Sequence, residues 1–359
     1  MADGTNRFIV QTMTQQLDVQ PIPQPDTGIT VHTESIPGMG LCQGLLVLPD
    51  GKLLMCSASG HICSREPTWY TSATNERVYE QKIEDLADFD GLMVHTHGTV
   101  VTCNRGVIRK KIPDISISAE LFHNPRGIVL KYGPGNIPSY IVAEEKKLSH
   151  YMFTPNTVFA SSFNNPTSII AVPDKGQYIV ADCGNHRIVL VDIGGNMSII
   201  AGNGEPGFLD GQGKEARFSL PHGLALKEDG SIVVADYGNN AVRLVTMQGI
   251  VTTIAGNGEK GCTDAEGHAA RFHGPTDVVL LNQGFEKNSI IVADRDNNLL
   301  REINGNKVTT IAGGAHGTAD GAGPDARFSF PEYLAVDERG RVLVTERERK
   351  DTLRVVEWK

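Results

Sequence analysis

Asp90, Arg126, His222, Asp277 and Glu332 are the side chains through which this chain could bind or transform a ligand. They are far apart in the sequence but share a register. Gln43, Asp90, Arg126, Thr167, His222, Thr276 and Glu332 each stand just ahead of a short apolar run, and Asp277 follows Thr276. If those runs are the innermost strands of sheets arranged about an axis, one residue per sheet meets its counterparts at a central opening. Carboxylates, an imidazole and a guanidinium gathered in a concave site are where binding or general acid–base chemistry is sought. Asp90 and Glu332 are also the oxygen donors that a calcium or zinc ion would use there.

The elements that must position these residues are written as a repeat. Segments Phe163 to Arg217, Phe218 to Arg271 and Phe272 to Arg327 repeat one another, and a fourth begins at Phe328. Each has Pro three residues after its Phe (166, 221, 275, 331), and each complete copy runs through Val-Ala-Asp and Ile-Ala-Gly to Ala-Arg. Such a period marks one supersecondary unit built several times. In the copy from Phe218, the runs Gly223–Lys227, Ser231–Asp236, Ala241–Thr246 and Ile250–Ala255 are rich in Val, Ile and Leu and separated by Gly, Asn and Asp turns. They predict a four-stranded antiparallel meander.

A lone meander leaves apolar surface and two edges uncovered; radial repetition buries the faces and shortens the edges, which is the β-propeller solution. The earlier chain keeps the rhythm in degraded form, and first strands fall near residues 44, 91, 127, 168, 223, 277 and 333. The expectation is an all-β, seven-bladed β-propeller of four-stranded antiparallel blades. Six blades is the alternative if the weak second unit is an insertion. The last unit stops one strand short, and Ile29–Thr33 supplies a strand that would join the C-terminal blade and close the ring. Residues 1–28 read as an N-terminal tail, and 29–359 as a single propeller.

The lettering resembles the NHL repeat family, in Pro221-His-Gly-Leu-Ala225 with Val234-Ala-Asp236 and in Val180-Ala-Asp-Cys-Gly-Asn-His-Arg-Ile188. The resemblance is specific over 163 to 345 and loose from 41 to 162. It implies a propeller of six or seven blades. It implies function less sharply, because the group holds binding scaffolds, RNA-binding ubiquitin-ligase modules and some metal-dependent enzymes. The amidating lyases of this fold bind zinc through His at Pro-His-Gly positions, which only His222 matches here. The gluconolactonases hold calcium through Glu and Asn or Asp. Asp90 and Glu332 are the corresponding oxygen donors, but the Pro-Asn-Gly and Pro-Asp-Gly signatures are missing.

Features present in every copy read as architecture: Asp182, Asp236 and Asp294 at strand ends, Asp210, Asp264 and Asp320 in the Gly-rich inserts, and Arg217, Arg271 and Arg327. The formal charge of −9 opposes nucleic-acid binding, although Arg105 to Lys111 forms a basic strip. Six cysteines without CxxC spacing and a start lacking a signal-like apolar core point to the cytoplasm. No phosphate loop or nucleophile elbow occurs.

The expected function is a non-enzymatic protein-binding or scaffold module without a cofactor. Its contact surface is either the face bearing the loops after Asp182, Asp236 and Asp294, or the face bearing the long inserts. The alternatives are a metal-dependent hydrolase or lyase acting on a small molecule at the channel mouth, with Ca or Zn, and an RNA-binding propeller.

Overall fold

The computed structural model describes residues 28–35, Arg126 and strand segments between 42 and 132, and nearly every position from 138 onward, apart from 153, 174, 282–288, 338, 350, 351 and 359. Strand β1 (Ile29–Ser35) precedes a first sheet of β2 (Cys42–Val47), β3 (Leu53–Ser57) and β4 (Ile62–Arg65). The second sheet holds β5 (Gly91–Val94), β6 (Val100–Asn104), β7 (Val107–Ile112) and β8 (Ile115–Ser118). The third holds β9 (Gly127–Tyr132), β10 (Pro138–Ala143), β11 (Lys147–Met152) and β12 (Thr154–Ser161). The fourth comprises β13 (Ser168–Val172), β14 (Gln177–Asp182), β15 (Arg187–Val191) and β16 (Met197–Ala201). Strand β17 (Gly211–Gln212) then edges a fifth sheet of β18 (Pro221–Leu226), β19 (Ile232–Asp236), β20 (Ala241–Val245) and β21 (Ile250–Ala255). The sixth has β22 (Pro275–Leu281), β23 (Ser289–Asp294), β24 (Leu299–Asn304) and β25 (Lys307–Gly313). After β26 (Gly321–Ala322), the seventh is built from β27 (Pro331–Val336), β28 (Val342–Glu346) and β29 (Thr352–Trp358). All pairings within sheets are antiparallel, as the turn spacing predicts.

The central strands are continuous apolar runs because both of their faces are buried. Ile232 and Val234 of β19 pack toward Ile179, Ala181 and Ile188 of the fourth sheet. Their neighbours Val233 and Ala235 pack toward Val278, Ile290 and Val292 of the sixth. Alternate side chains of one strand therefore feed two different cores, each sheet being the filling between its neighbours. First strands adjoin in the sequence β9, β13, β18, β22, β27 and β2, and β2 also adjoins β9. The second sheet lies against β3 and β4 through β5.

Strand β1 pairs along its whole length with β29, from Ile29 opposite Trp358 to Ser35 opposite Thr352. The N-terminal segment thus takes the fourth place in the last sheet, and Ile29 and Val31 join its core.

The long inserts are part of this architecture. Each lies on the outer strand of the following sheet: β17 pairs with β21, β26 pairs with β1, and Val308 N–H donates to the Ala265 carbonyl. One aspartate per insert makes the attachment. Asp210 accepts the N–H and hydroxyl of Thr253, each at 2.9 Å, and Arg243 Nη2 at 2.6 Å. Asp264 does the same with Thr310 and Arg301, and Asp320 with Thr33 and Arg354. Arg243, Arg301 and Arg354 are fully buried and lie over the rings of Phe218, Phe272 and Phe328 at 5.2, 5.1 and 4.8 Å. Their other partners are the strand-end acids Asp236, Asp294 and Glu346. A buried guanidinium of this kind is tolerated only with carboxylates and carbonyls around it. The repeated Phe and insert Asp belong to that one device written three times, and its arginines are Arg243, Arg301 and Arg354, not the repeated Arg217, Arg271 and Arg327.

Candidate functional site

The Pro that opens β18, β22 and β27 has no N–H to give to the ladder, and the register slips just after it. The shifts fall between Pro221 and Leu224, Pro275 and Asp277, and Pro331 and Tyr333. The residue after each Pro is thereby released from the regular pleat and used to bridge to the next sheet. Thr167 Oγ1 donates to the His222 carbonyl at 3.0 Å, His222 Nδ1 donates to the Thr276 carbonyl at 2.9 Å, and Thr276 Oγ1 donates to the Pro331 carbonyl at 3.3 Å. This belt runs from the fourth sheet to the seventh.

A second tier comes from the turns after the second strands. Asp236 accepts the backbone N–H of Ser219 and the amide of Asn239, which holds the loop entering β18 against the turn leaving β19. Asp294 repeats this with His273 and Asn297. Burial pushes both carboxyls up to about 6, against the pull of Arg243 and Arg301. The residue following each strand-end acid is thus set beside the belt: Cys183, Tyr237, Arg295 and Arg347. The ring of His222 lies between those of Tyr237 and Tyr333, with centroids at 6.3 and 6.2 Å. Arg295 covers Tyr237 at 5.0 Å and donates to its hydroxyl and to Asp296.

A carbonyl only accepts, so the bond to Thr276 places the single proton of a neutral His222 on Nδ1 and leaves Nε2 with a lone pair. Burial, reinforced by Arg126 and Arg295, pushes this imidazole down to about 4 despite that bond. The residue as a whole is nonetheless only partly buried. Glu332 is pushed up by burial, which outweighs the pull of Arg347, Arg295 and Arg126. Cys183, in contrast, is buried and held up to about 11 by desolvation, which makes it an inert thiol.

Arg126, His222 and Glu332 are therefore brought together from the third, fifth and seventh sheets. Asp277 faces elsewhere. Its Oδ1 accepts Val278 N–H at 2.9 Å and its Oδ2 accepts Leu334 N–H at 2.8 Å, stapling β22 to β27, while burial pushes the carboxyl up to about 7. It occupies the register of Gly223, where a Cβ would stand 2.3 Å from Asp277 Oδ1. The glycine of Pro-His-Gly is thus the space into which the next sheet's aspartate fits. Asp90 and Arg105 lie outside the described residues, and Val107–Lys111 fall in β7. Tyr237, Arg295 and Arg347 were missed by the sequence reading. The signal for them was available: they follow the repeated acid, where the letters cease to repeat.

Among the described residues, no three His, Cys, Asp or Glu side chains stand together as a metal would require, and no helix is long and apolar enough to cross a membrane.

The chain carries NHL repeats, matched at residues 163–189 and 218–243 by the family's model. It is similar to human NHL repeat-containing protein 2, at 36% identity over 129 residues, 34% of this chain and 17% of that protein. It is also similar to the chloroplastic protein SUPPRESSOR OF QUENCHING 1 of Arabidopsis thaliana, at 29% identity over 164 residues, 43% of this chain and 15% of that protein. The chain thus spans less than a fifth of either relative. Among solved structures, a streptogramin B lyase superposes with a TM-score of 0.58 at 12% identity, covering 92% of this chain and 98% of the lyase. At that identity the likeness is one of fold.

Proposed function

We propose that this NHL-repeat chain is a protein-binding module that engages its partner with the face bearing the turns after Asp182, Asp236 and Asp294. The observation that carries this reading is the two-tier cluster at the channel mouth. His222, Tyr237, Arg295, Tyr333, Glu332 and Arg126 come from four sheets and stand where the repeat departs from itself, on a scaffold whose cores repeat closely. Recognition residues held by loops on a rigid frame are the usual division of labour. The other candidate surface, the inserts, has its aspartates engaged in holding the sheets together.

The frame is read as a seven-bladed ring completed by β1. In the alternative, the second sheet stands outside a ring of six, an arrangement favoured by the contact of β2 with β9. An experimental structure with β5 between those two strands decides for seven. The cytoplasm is the proposed location, and Cys183 and Cys262 being free thiols agrees with a reducing compartment.

Affinity capture from the native cell tests the function. A Tyr237→Ala/Arg295→Ala double variant is expected to lose the partner captured by the wild type, and a Phe208→Ala/Leu209→Ser variant on the first insert is expected to keep it. The reverse pattern moves the interface to the insert face.

The second reading, a metal-dependent enzyme, draws on the lyase-like fold and on the free Nε2 of His222. Stoichiometric calcium or zinc in the purified protein, absent from an Asp90→Ala/Glu332→Ala variant, would establish it in place of the scaffold.

A further inference from the structure

The reading above leaves the chemistry of the partner open, and the charges at the channel mouth narrow it. Among the described residues, the buried arginine Nε atoms without a hydrogen-bond acceptor belong to Arg126, Arg243, Arg301 and Arg354. In the last three the omission has an internal reason. Both terminal nitrogens of each are bonded to carboxylates or carbonyls, and the guanidinium plane lies on a phenylalanine face, which is itself a favourable place for a cation. Arg126 has neither arrangement. Among the described residues no carboxylate bonds it and no ring covers it, yet its charge bears on His222, Cys183 and Glu332.

Arg347, whose charge also bears on Glu332, is exposed and has no side-chain partner among the described residues. Arg295 is already committed to Asp296 and Tyr237. Among the described residues, the mouth thus holds two guanidiniums without a bonded carboxylate against the carboxylate of Glu332, together with the neutral imidazole of His222. This local excess of positive charge occurs in a chain whose formal charge is −9. A buried N–H without an acceptor is costly to leave unmade, and guanidinium is the group best shaped to take a carboxylate in two parallel bonds.

We infer that the partner presents an acidic peptide segment, one of whose Asp or Glu carboxylates enters the channel mouth and pairs with Arg126 and Arg347. This rests on the protein-binding reading and specifies it. The Nε2 lone pair of His222 is oriented to accept a backbone N–H of the same segment, and the Tyr237 and Tyr333 rings supply flanking apolar surface. Glu332 opposes the incoming carboxylate, so it sets a ceiling on affinity and favours release.

Fluorescence anisotropy with labelled hexaglutamate and hexalysine peptides on the full chain tests this. Hexaglutamate is expected to bind and hexalysine not, with binding weakened as salt rises from about 50 to about 300 mM. Arg126→Gln is expected to cost about tenfold in affinity and Glu332→Gln to gain severalfold, while Arg126→Lys retains part of the binding. Unchanged melting temperatures and a Lys214→Gln control distinguish these effects from misfolding and from diffuse surface charge. The inference is overturned if hexaglutamate binds equally well to Arg126→Gln, or if neither peptide binds the wild type. It is also overturned if hexalysine binds through Glu332, an outcome that leaves partner binding at the channel mouth intact. Loss of the partner in the capture experiment is a separate result, and only that one bears on the module's function.

Discussion

His222 shows how much a single position can carry in a repeat. Its Nδ1 proton is spent on the Thr276 carbonyl, and its environment disfavours the second proton. The folded chain therefore holds off a proton that the unfolded chain accepts. Between about 6.5 and about 4 the unfolded state binds more protons at this site, so its contribution to stability falls as the pH falls through that window. Asp277, pushed up to about 7, has the opposite slope. Comparison of variant and wild type is needed to separate them. We expect His222→Gln to flatten the loss of melting temperature between pH 6.5 and 4 relative to the wild type. Nitrogen NMR of the wild type is expected to show the Nδ1–H tautomer down to about pH 5. A His222 titrating near 6.5 would contradict the enclosed site described here. At this scale the sequence was partly legible. His222 and Glu332 were visible as departures from the repeat, whereas Asp277 looked the same by that criterion. Its role depends on Leu334, 57 residues away, whose N–H it accepts.

The insert, the outer strand and the strand-end acid form one mechanical element in each of the last three units. Arg243 ties Asp210 of the insert to Asp236 of the second strand while Phe218 covers its plane. Replacing it by Met keeps much of the volume but leaves Asp236 buried without its cation. Breaking a buried pair from one side costs about 3–5 kcal/mol, so urea unfolding of Arg243→Met should register a loss of that order. Arg217→Met, which removes an exposed pair with Glu205, should stay within about 0.5 kcal/mol of the wild type. Equal effects would show that the buried arginines are not structural ties. The sequence reading identified the repeated aspartates as architecture but overlooked Arg243, Arg301 and Arg354. They fall at a fixed place after the acid only in two units, since Arg354 follows Glu346 one residue later, and a charged residue in a strand pattern usually faces solvent.

For the whole molecule, the pairing of β1 with β29 joins the two ends of the described chain in one sheet. Val31 sits in the core beneath that sheet, and Thr33 completes the third copy of the aspartate clamp through Asp320. Val31→Asp would place a charge there without a partner. We expect it to lower stability by about 3 kcal/mol or more and to expose β29 as an open edge. Light scattering should detect the resulting self-association. A monomeric variant with wild-type stability would mean that β1 is dispensable to the fold.

The sequence by itself determined the repeating unit and its antiparallel strands, because these follow from local periodicity and turn chemistry, which are properties of contiguous residues, and it indicated the strand borrowed from the N-terminal end because the last unit is one strand short of the others. Only the tertiary structure decided which ionisable groups meet. Asp277 was drawn off to Leu334, Tyr237 and Arg295 were brought in beside His222, and Arg126 was left without a bonded carboxylate among the described residues. The physical reason is that the free energy of a charged or hydrogen-bonding group depends on what lies within a few ångströms of it, and between packed repeat sheets those neighbours come from segments about fifty residues apart.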